Sequence, residues 1–157
     1  MFAEGNLVKF LNYARISDKN PEEMRIRAVI ELGKDKSKES KELLIQTLST
    51  LNLFVRDTVV QSLIEIEDID FLCNNIEHEH RYVRRGIVQA LGELGGGKAC
   101  RALIVCLNDK EWGVRMYAAE SLGKVGCSSH IADLAELLND VHEWPREVAR
   151  LSIEKLN

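Results

Sequence analysis

What most constrains this chain is that it repeats itself. From Val83 to Leu107 two apolar helical patterns flank a run of glycines, and the same unit recurs along most of the sequence. An arginine sets the register: Met24-Arg25, Val55-Arg56, Val83-Arg84, Val114-Arg115 and Pro145-Arg146, spaced 31, 28, 31 and 31 residues apart. Three residues after each arginine stand Ala28, Val59, Ile87, Ala118 and Ala149, and seven after stand Leu32, Leu63, Leu91, Leu122 and Ile153. Eight before the last four arginines stand Leu48, Ile76, Leu107 and Leu138, and twelve before stand Leu44, Leu72, Leu103 and Leu134. Steps of three, four and seven place such residues on one stripe of a helix. Two stripes per period predict two helices per repeat, each pair stacking on the next to bury its apolar face. The expected fold is all-α: an α-solenoid, a short right-handed superhelix of stacked antiparallel helix pairs, ten helices in all.

The repeats are expected at 21–49, 50–76, 77–107 and 108–138 of one domain, 1–157. Residues 1–20 read as an N-terminal half-repeat cap, and 139–157 as a closing first helix. Gly33, Gly92 and Gly123 each follow a stripe leucine. They are read, with Gly95 to Gly97 and Gly126, as the turn that ends the first helix, because glycine tolerates the left-handed conformation there. The second repeat lacks that glycine and is three residues short, which predicts a tighter turn with Asp68 capping the next helix. Lys34 to Lys41 read as a charged turn. Asn20-Pro-Glu-Glu23 reads as a helix start, with Asn20 as cap, Pro21 in the first helical position and Glu23 closing a capping box. Asp109 and Asp140, six residues before Arg115 and Arg146, are expected to cap helices. Arg150 and Glu154 replace the usual small or apolar residues of the last helix, so the array is expected to end there.

The order Val-Arg, then alanine or a β-branched residue, then Leu-Gly, a glycine turn and a leucine-rich second helix resembles HEAT repeats. Specifically, it is similar to the phycobilisome-lyase (PBS lyase) type, over about residues 20–157. The resemblance implies an ARM/HEAT-type solenoid used mainly for protein contacts, in which Asp109 and Asp140 also pair with the arginines across repeats, as in the family's stacking pattern. Some members assist attachment or removal of bilin chromophores, and one branch is an iron-dependent hydroxylase. That branch carries His-Glu dipeptides just after the Val-Arg position. Here those positions read Arg56-Asp57-Thr58, Arg84-Arg85-Gly86, Arg115-Met116-Tyr117 and Arg146-Glu147-Val148, so the iron ligand set is absent.

Composition narrows the class further. Net charge is −4, with 21 Lys and Arg against 25 Asp and Glu, so no whole-chain field attracts nucleic acid. Cys73, Cys100, Cys106 and Cys127 form no C-x-x-C pair and read as thiols in a reducing compartment. No stretch is long and apolar enough to span a membrane, and the N-terminus shows no signal-peptide pattern. A cytoplasmic protein is expected, with no nucleic-acid or membrane partner. The oligomeric state is left open, with a monomer as the default.

Chemistry-bearing constellations are sparse. Gly92-x-x-x-x-Gly97-Lys98 is nearly a phosphate-binding loop, but Ala99 replaces the Ser or Thr and the segment follows a helix. Glu77-His-Glu-His80 offers metal-capable side chains without a further ligand pair. Cys127 near His130 lacks an orienting third group. No catalytic, cofactor or metal residue is therefore nominated. Phe54, Tyr82, Trp112 and Trp144 each precede an anchor arginine by two or three residues. They read first as packing between repeats, otherwise as a contact rim. The second helices should expose Glu42, Gln46, Asp70, Asn74, Arg101, Val105 and Glu136. Arginine, tyrosine and tryptophan dominate interface hot spots, so the partner-binding candidates are Arg81, Tyr82, Arg85, Arg101 and Trp112. The expected function is a non-catalytic protein-binding scaffold, docking a partner with an acidic patch across repeats two to four. The alternative is a bilin (tetrapyrrole) lyase-like protein, with Arg81, Arg85 and Arg101 meeting the carboxylates of a flat chromophore.

Overall fold

The computed structural model describes residues 21–126 and 128–157; the half-repeat cap expected at 1–20, the Asn20 cap and Cys127 lie outside them. The described residues form α-helices and short 3-10 turns, without strands. The chain divides after Glu67 into two compact units.

The first unit contains α1 (Glu22–Asp35), α2 (Lys38–Thr47) and α3 (Leu53–Ile66). Its core joins Ala28, Leu32, Leu44, Leu48, Val59 and Leu63, all buried as the stripes predict. The helix start differs from expectation. Pro21 stands just before α1 and not within it, and Glu23 pairs forward with Arg27 at 2.6 Å instead of closing a capping box. The charged turn is also shorter than expected. Both helices extend into Lys34–Lys41, leaving Lys36 and Ser37 to connect them. Lys36 takes a left-handed φ of 55°, and Ser37 accepts the Ser40 N–H at 3.1 Å, satisfying one of the free donors at the start of α2.

The second unit runs through α4 (Ile69–Cys73), α5 (Arg81–Leu94), α6 (Gly96–Cys106), α7 (Trp112–Val125), α8 (Ile131–Glu136) and α9 (Glu143–Leu156). The first helices of successive repeats pack side by side, α5 on α7 and α7 on α9, while α4 meets α6 in a second layer. Leu72, Ile87, Leu91, Leu103, Leu107, Leu122 and Leu134 fill the space between layers. As expected, the turn before α4 is tight. Glu67 adopts a left-handed φ of 61°, and Asp68 accepts the Phe71 N–H at 3.0 Å.

Two expectations fail here. Leu138 is 41% exposed and Leu137 is buried instead. Leu137–Asn139 form a 3-10 turn, whose three residues per turn rotate the side chains out of the 3.6-residue register. Ile76 and Ile153 are only half-buried; Ile76 lies beyond the end of α4, where helical periodicity no longer applies.

The second failed expectation concerns glycine. Gly33, Gly92 and Gly123 lie inside α1, α5 and α7, not at their ends. Each faces a serine on the next first helix. A Cβ on Gly33 would stand 2.8 Å from Ser62 Cβ, one on Gly92 2.5 Å from Ser121 Cβ, and one on Gly123 2.7 Å from Ser152 Cβ. The glycines therefore set how closely neighbouring repeats approach. Turn chemistry belongs to Gly95, whose φ of 67° and ψ of −162° occupy a region that side chains beyond glycine rarely enter.

Candidate partner-binding site

The anchor arginines build the frame on which the site stands. In the second unit Arg84 Nε and Nη2 donate to Asp109 Oδ2 and Oδ1 at 2.6 and 2.9 Å, and its Nη1 donates to the His78 and Glu79 carbonyls, both at 2.8 Å. Arg115 repeats the arrangement with Asp140 at 2.6 and 2.8 Å and with the Asp109 carbonyl at 2.7 Å. Each arginine thus clamps the carboxylate of the following loop and the backbone of its own loop. The carboxylates also hold their loops: Asp109 accepts the Glu111 N–H and Asp140 the His142 N–H, each at 2.8 Å. Pairing across repeats matches expectation, but the N–H groups taken lie ahead of α7 and α9, so neither aspartate is a helix cap. The bridges are bidentate and largely buried. Asp109 holds the Arg84 guanidinium above its ordinary pKa, and Arg115 holds the Asp140 carboxyl below its own.

These clamps fix the starts of α5 and α7, and a cleft of about 370 Å³ opens beside them. Arg81, Tyr82 and Arg85 line it from α5, and Trp112, Met116 and Tyr117 from α7, with Glu111 at its edge. The Arg85 guanidinium lies over the Tyr117 ring, 4.2 Å from its centroid, and donates to the Tyr117 hydroxyl at 2.5 Å. Arg81 lies 5.0 Å over the Tyr82 ring, donates to its hydroxyl at 3.3 Å and reaches Glu111 at 4.0 Å. Hydrogen bonding to Tyr82 raises the Arg81 pKa. The tyrosines hold the two cations beside an apolar wall, an arrangement suited to planar or carboxylate-bearing groups.

Four of the five candidate residues, Arg81, Tyr82, Arg85 and Trp112, therefore come together. Arg101 does not line this cleft. It stands on α6, exposed, in the second-helix layer with Val105, and Lys98 there pairs with Asp70 at 2.6 Å. The exposed second-helix positions expected from the sequence, Glu42, Gln46, Asp70, Asn74, Arg101, Val105 and Glu136, are all exposed. Sequence reasoning did not single out Tyr117. It lies two residues after an anchor arginine, away from the aromatic pattern that precedes the others, so no repeat signal marked it.

The packing reading of the aromatic set fails for three of its four members. Phe54 in the first unit and Trp112 and Trp144 in the second are 65, 39 and 63% exposed. Only Tyr82 is half-buried. These rings stand at the first or second residue of their helices.

Among the described residues no three His, Cys, Asp or Glu side chains converge as metal ligands. His78 Nδ1 instead accepts the His80 backbone N–H at 3.0 Å, and burial pushes the His80 pKa down. Cys100 and Cys106 are buried and Cys73 half-buried; burial pushes the Cys106 thiol up to about 12, which keeps it protonated. No described helix is long and apolar enough to cross a membrane.

The profile of the HEAT repeats family matches residues 69–154, more than half of the chain. No curated protein matches it. Among solved structures, the chain is similar to the complex of CpcE and CpcF of phycocyanin lyase from Nostoc sp. PCC7120. The TM-score is 0.60 at 19% identity, covering 96% of this chain and 65% of that one. It is also similar to Crescerin, described as using a TOG domain array to regulate microtubules in the primary cilium. There the TM-score is 0.67 at 16% identity, over 98% of this chain and 75% of the other. At such identities the likeness shows the solenoid fold alone, and the chain spans only 65% of the phycocyanin lyase chain.

Proposed function

This chain belongs to the HEAT-repeat family, and from that premise we propose that it is a non-catalytic scaffold whose α5–α7 cleft binds a protein with an acidic patch. One observation carries the reading: two arginines, each held by a tyrosine, flank an exposed tryptophan in one cleft. Arginine and aromatic anchors in a pocket are the groups that carry most interface energy. Tyr117 orients Arg85 in advance, so little side-chain freedom is lost on docking. Differential affinity capture tests it. A partner retained by the intact chain and by Arg101→Glu should be lost by Arg85→Glu and weakened at least about tenfold by Trp112→Ala, as hot-spot truncations do. Equal capture by all four proteins, each folded by circular dichroism, would place function elsewhere.

A second reading draws on the likeness to the phycocyanin lyase complex. The same arginine pair suits the carboxylates of a flat chromophore lying against Trp112 and Tyr82. Under it, titrating bilin into the chain should change the bilin absorbance, and Arg85→Ala should diminish that change. An unaltered spectrum at high protein concentration rejects it.

A further inference from the structure

Arg81 and Arg85 form a pair that the other repeats lack. Three residues before and one residue after the anchor arginine stand Leu53 and Asp57 in α3, Arg81 and Arg85 in α5, Trp112 and Met116 in α7, and Glu143 and Glu147 in α9. α7 and α9 stack on each other with apolar and acidic residues at these places, so stacking does not call for the arginines. Local stability does not call for them either. Arg81 stands in the first turn of α5, where the helix dipole disfavours a cation, and Arg85 stands one turn on, where like charges repel. Glu111 approaches Arg81 only at 4.0 Å, with Arg81 exposed. Arg85 forms no ion pair among the described residues; its partners are the ring and hydroxyl of Tyr117.

Two cations are thus held on one face of a helix, about 5–6 Å apart at Cβ, without a matching pair of anions. That spacing suits one anion bridging both. A carboxylate offers a single charge and two oxygens, enough for one guanidinium fork. A phosphate monoester offers about two charges and three acceptor oxygens, enough for both arginines. The Tyr117 hydroxyl accepts from Arg85 at 2.5 Å and keeps its own proton to donate to a further oxygen.

The rest of the cleft indicates what carries the phosphate. Its volume of about 370 Å³ holds more than a phosphate group. Trp112, 39% exposed, and Met116 give it an apolar wall, and a Cβ added at the neighbouring Gly113 would meet nothing within 4 Å. A planar ring can lie against the indole there. We infer that the partner docks through a phosphotyrosine: the phosphate bridges Arg81 and Arg85, displacing Glu111, and the ring lies against Trp112 and Met116. The inference rests on the α5–α7 cleft being the docking site and names the acidic group it takes. Phosphorylation of the partner then switches docking on, because an unmodified tyrosine leaves both guanidiniums without an anion.

The probes are four pentapeptides, with alanines on either side of a central phosphotyrosine, phosphoserine, tyrosine or glutamate. Each is titrated calorimetrically into the intact protein, and the Trp112 and Trp144 indole resonances are followed by proton–nitrogen NMR. The phosphotyrosine peptide should bind saturably and at least about tenfold more tightly than the other three, as charge-assisted pairing to two guanidiniums requires. It should move the Trp112 indole and leave that of Trp144 in place. Arg81→Gln and Arg85→Gln should each weaken it at least about fivefold. Tyr117→Phe, which keeps the ring under Arg85 and removes the hydroxyl, should weaken it about threefold, the worth of one hydrogen bond. Arg101→Glu, on α6, should bind as the intact chain does, and circular dichroism checks that every variant folds. Equal binding of the phosphoserine peptide overturns the inference, because the ring is then not read. Equal binding of the glutamate peptide, lost in Arg85→Gln, overturns it while leaving the cleft as a site for acidic partners. Undiminished binding by both arginine variants, or saturable binding of none of the peptides, overturns it as well; the capture experiment then decides by itself whether the cleft docks a partner.

Discussion

Arg25 and Arg84 hold the same place in their helices, and each reaches the residue 25 positions ahead. Arg84 finds the Asp109 carboxylate and grips it with two donors. Arg25, in the first unit, finds the Thr50 hydroxyl. The backbone half of the clamp is unchanged, since Arg56 takes the Thr50 carbonyl at 2.6 Å as Arg115 takes that of Asp109. The same stacking geometry thus tolerates a charged rung or a hydroxyl rung. What stacking requires is an acceptor at that point; the charge sets how strongly the rung resists opening and whether it responds to pH.

Removing the acceptor from each rung should separate them most. Asp109→Ala leaves the buried Arg84 without its counter-ion and should cost about 3–5 kcal/mol. Thr50→Val removes one hydrogen bond to a cation and should cost about 1–3 kcal/mol. Urea unfolding of the two variants measures both; equal costs would erase the distinction. The leucine stripes should behave alike in the two units. Leu32→Ala and Leu91→Ala are each expected to lose about 2–5 kcal/mol, with exposed Glu79→Ala close to neutral as a control. A large difference between the leucines would mean that the units differ in packing and not only in their rungs.

The glycine contacts offer a finer comparison. Gly92→Ala drives a Cβ to 2.2 Å from Ser121 Oγ, against 2.8 Å for the nearest atom facing Gly33→Ala. Both should destabilise by about 1–3 kcal/mol, Gly92→Ala more, and Ser121→Gly should recover part of the loss in a double mutant. An additive double mutant would show that the serine is not what the methyl meets. The smallest effect is that of pH. Asp140 has its pKa lowered by Arg115. Its contribution is therefore present above an unfolded aspartate pKa of about 3.9 and fades as pH falls through the lower folded value. Amide exchange in α7 and α9 should accelerate across that range, and Asp140→Asn should remove this component. Acceleration that persists in Asp140→Asn would assign it to other carboxylates.

How much of the site was readable follows from where its signals lie. Arg81, Tyr82, Arg85 and Trp112 carry residue types that mark interfaces, and Tyr82 and Trp112 also stand two or three residues before an anchor arginine, so sequence could nominate them. Arg101 carries the same residue type and was placed on a second helix from the sequence, but only the packing of α5 against α7 shows that the cleft opens among first helices, away from it. Tyr117, which orients Arg85, is invisible without the crossing of α5 and α7. The glycines were misread for a related reason. In sequence, a glycine after the last stripe leucine looks the same whether it ends a helix or faces a serine 29 residues on.

By itself the sequence determined the two-helix repeat, the identity of most buried leucines, the Asp68 cap and the short second turn. All of these depend on the 3.6-residue period and on residues close in the chain. Only the tertiary structure decided that Gly92 admits Ser121, that Tyr117 meets Arg85, that Leu137 displaces Leu138 and that the rim tryptophans stay exposed. Each of those depends on the distance and angle between helices, which come from packing many side chains together and are encoded in no single window of the chain.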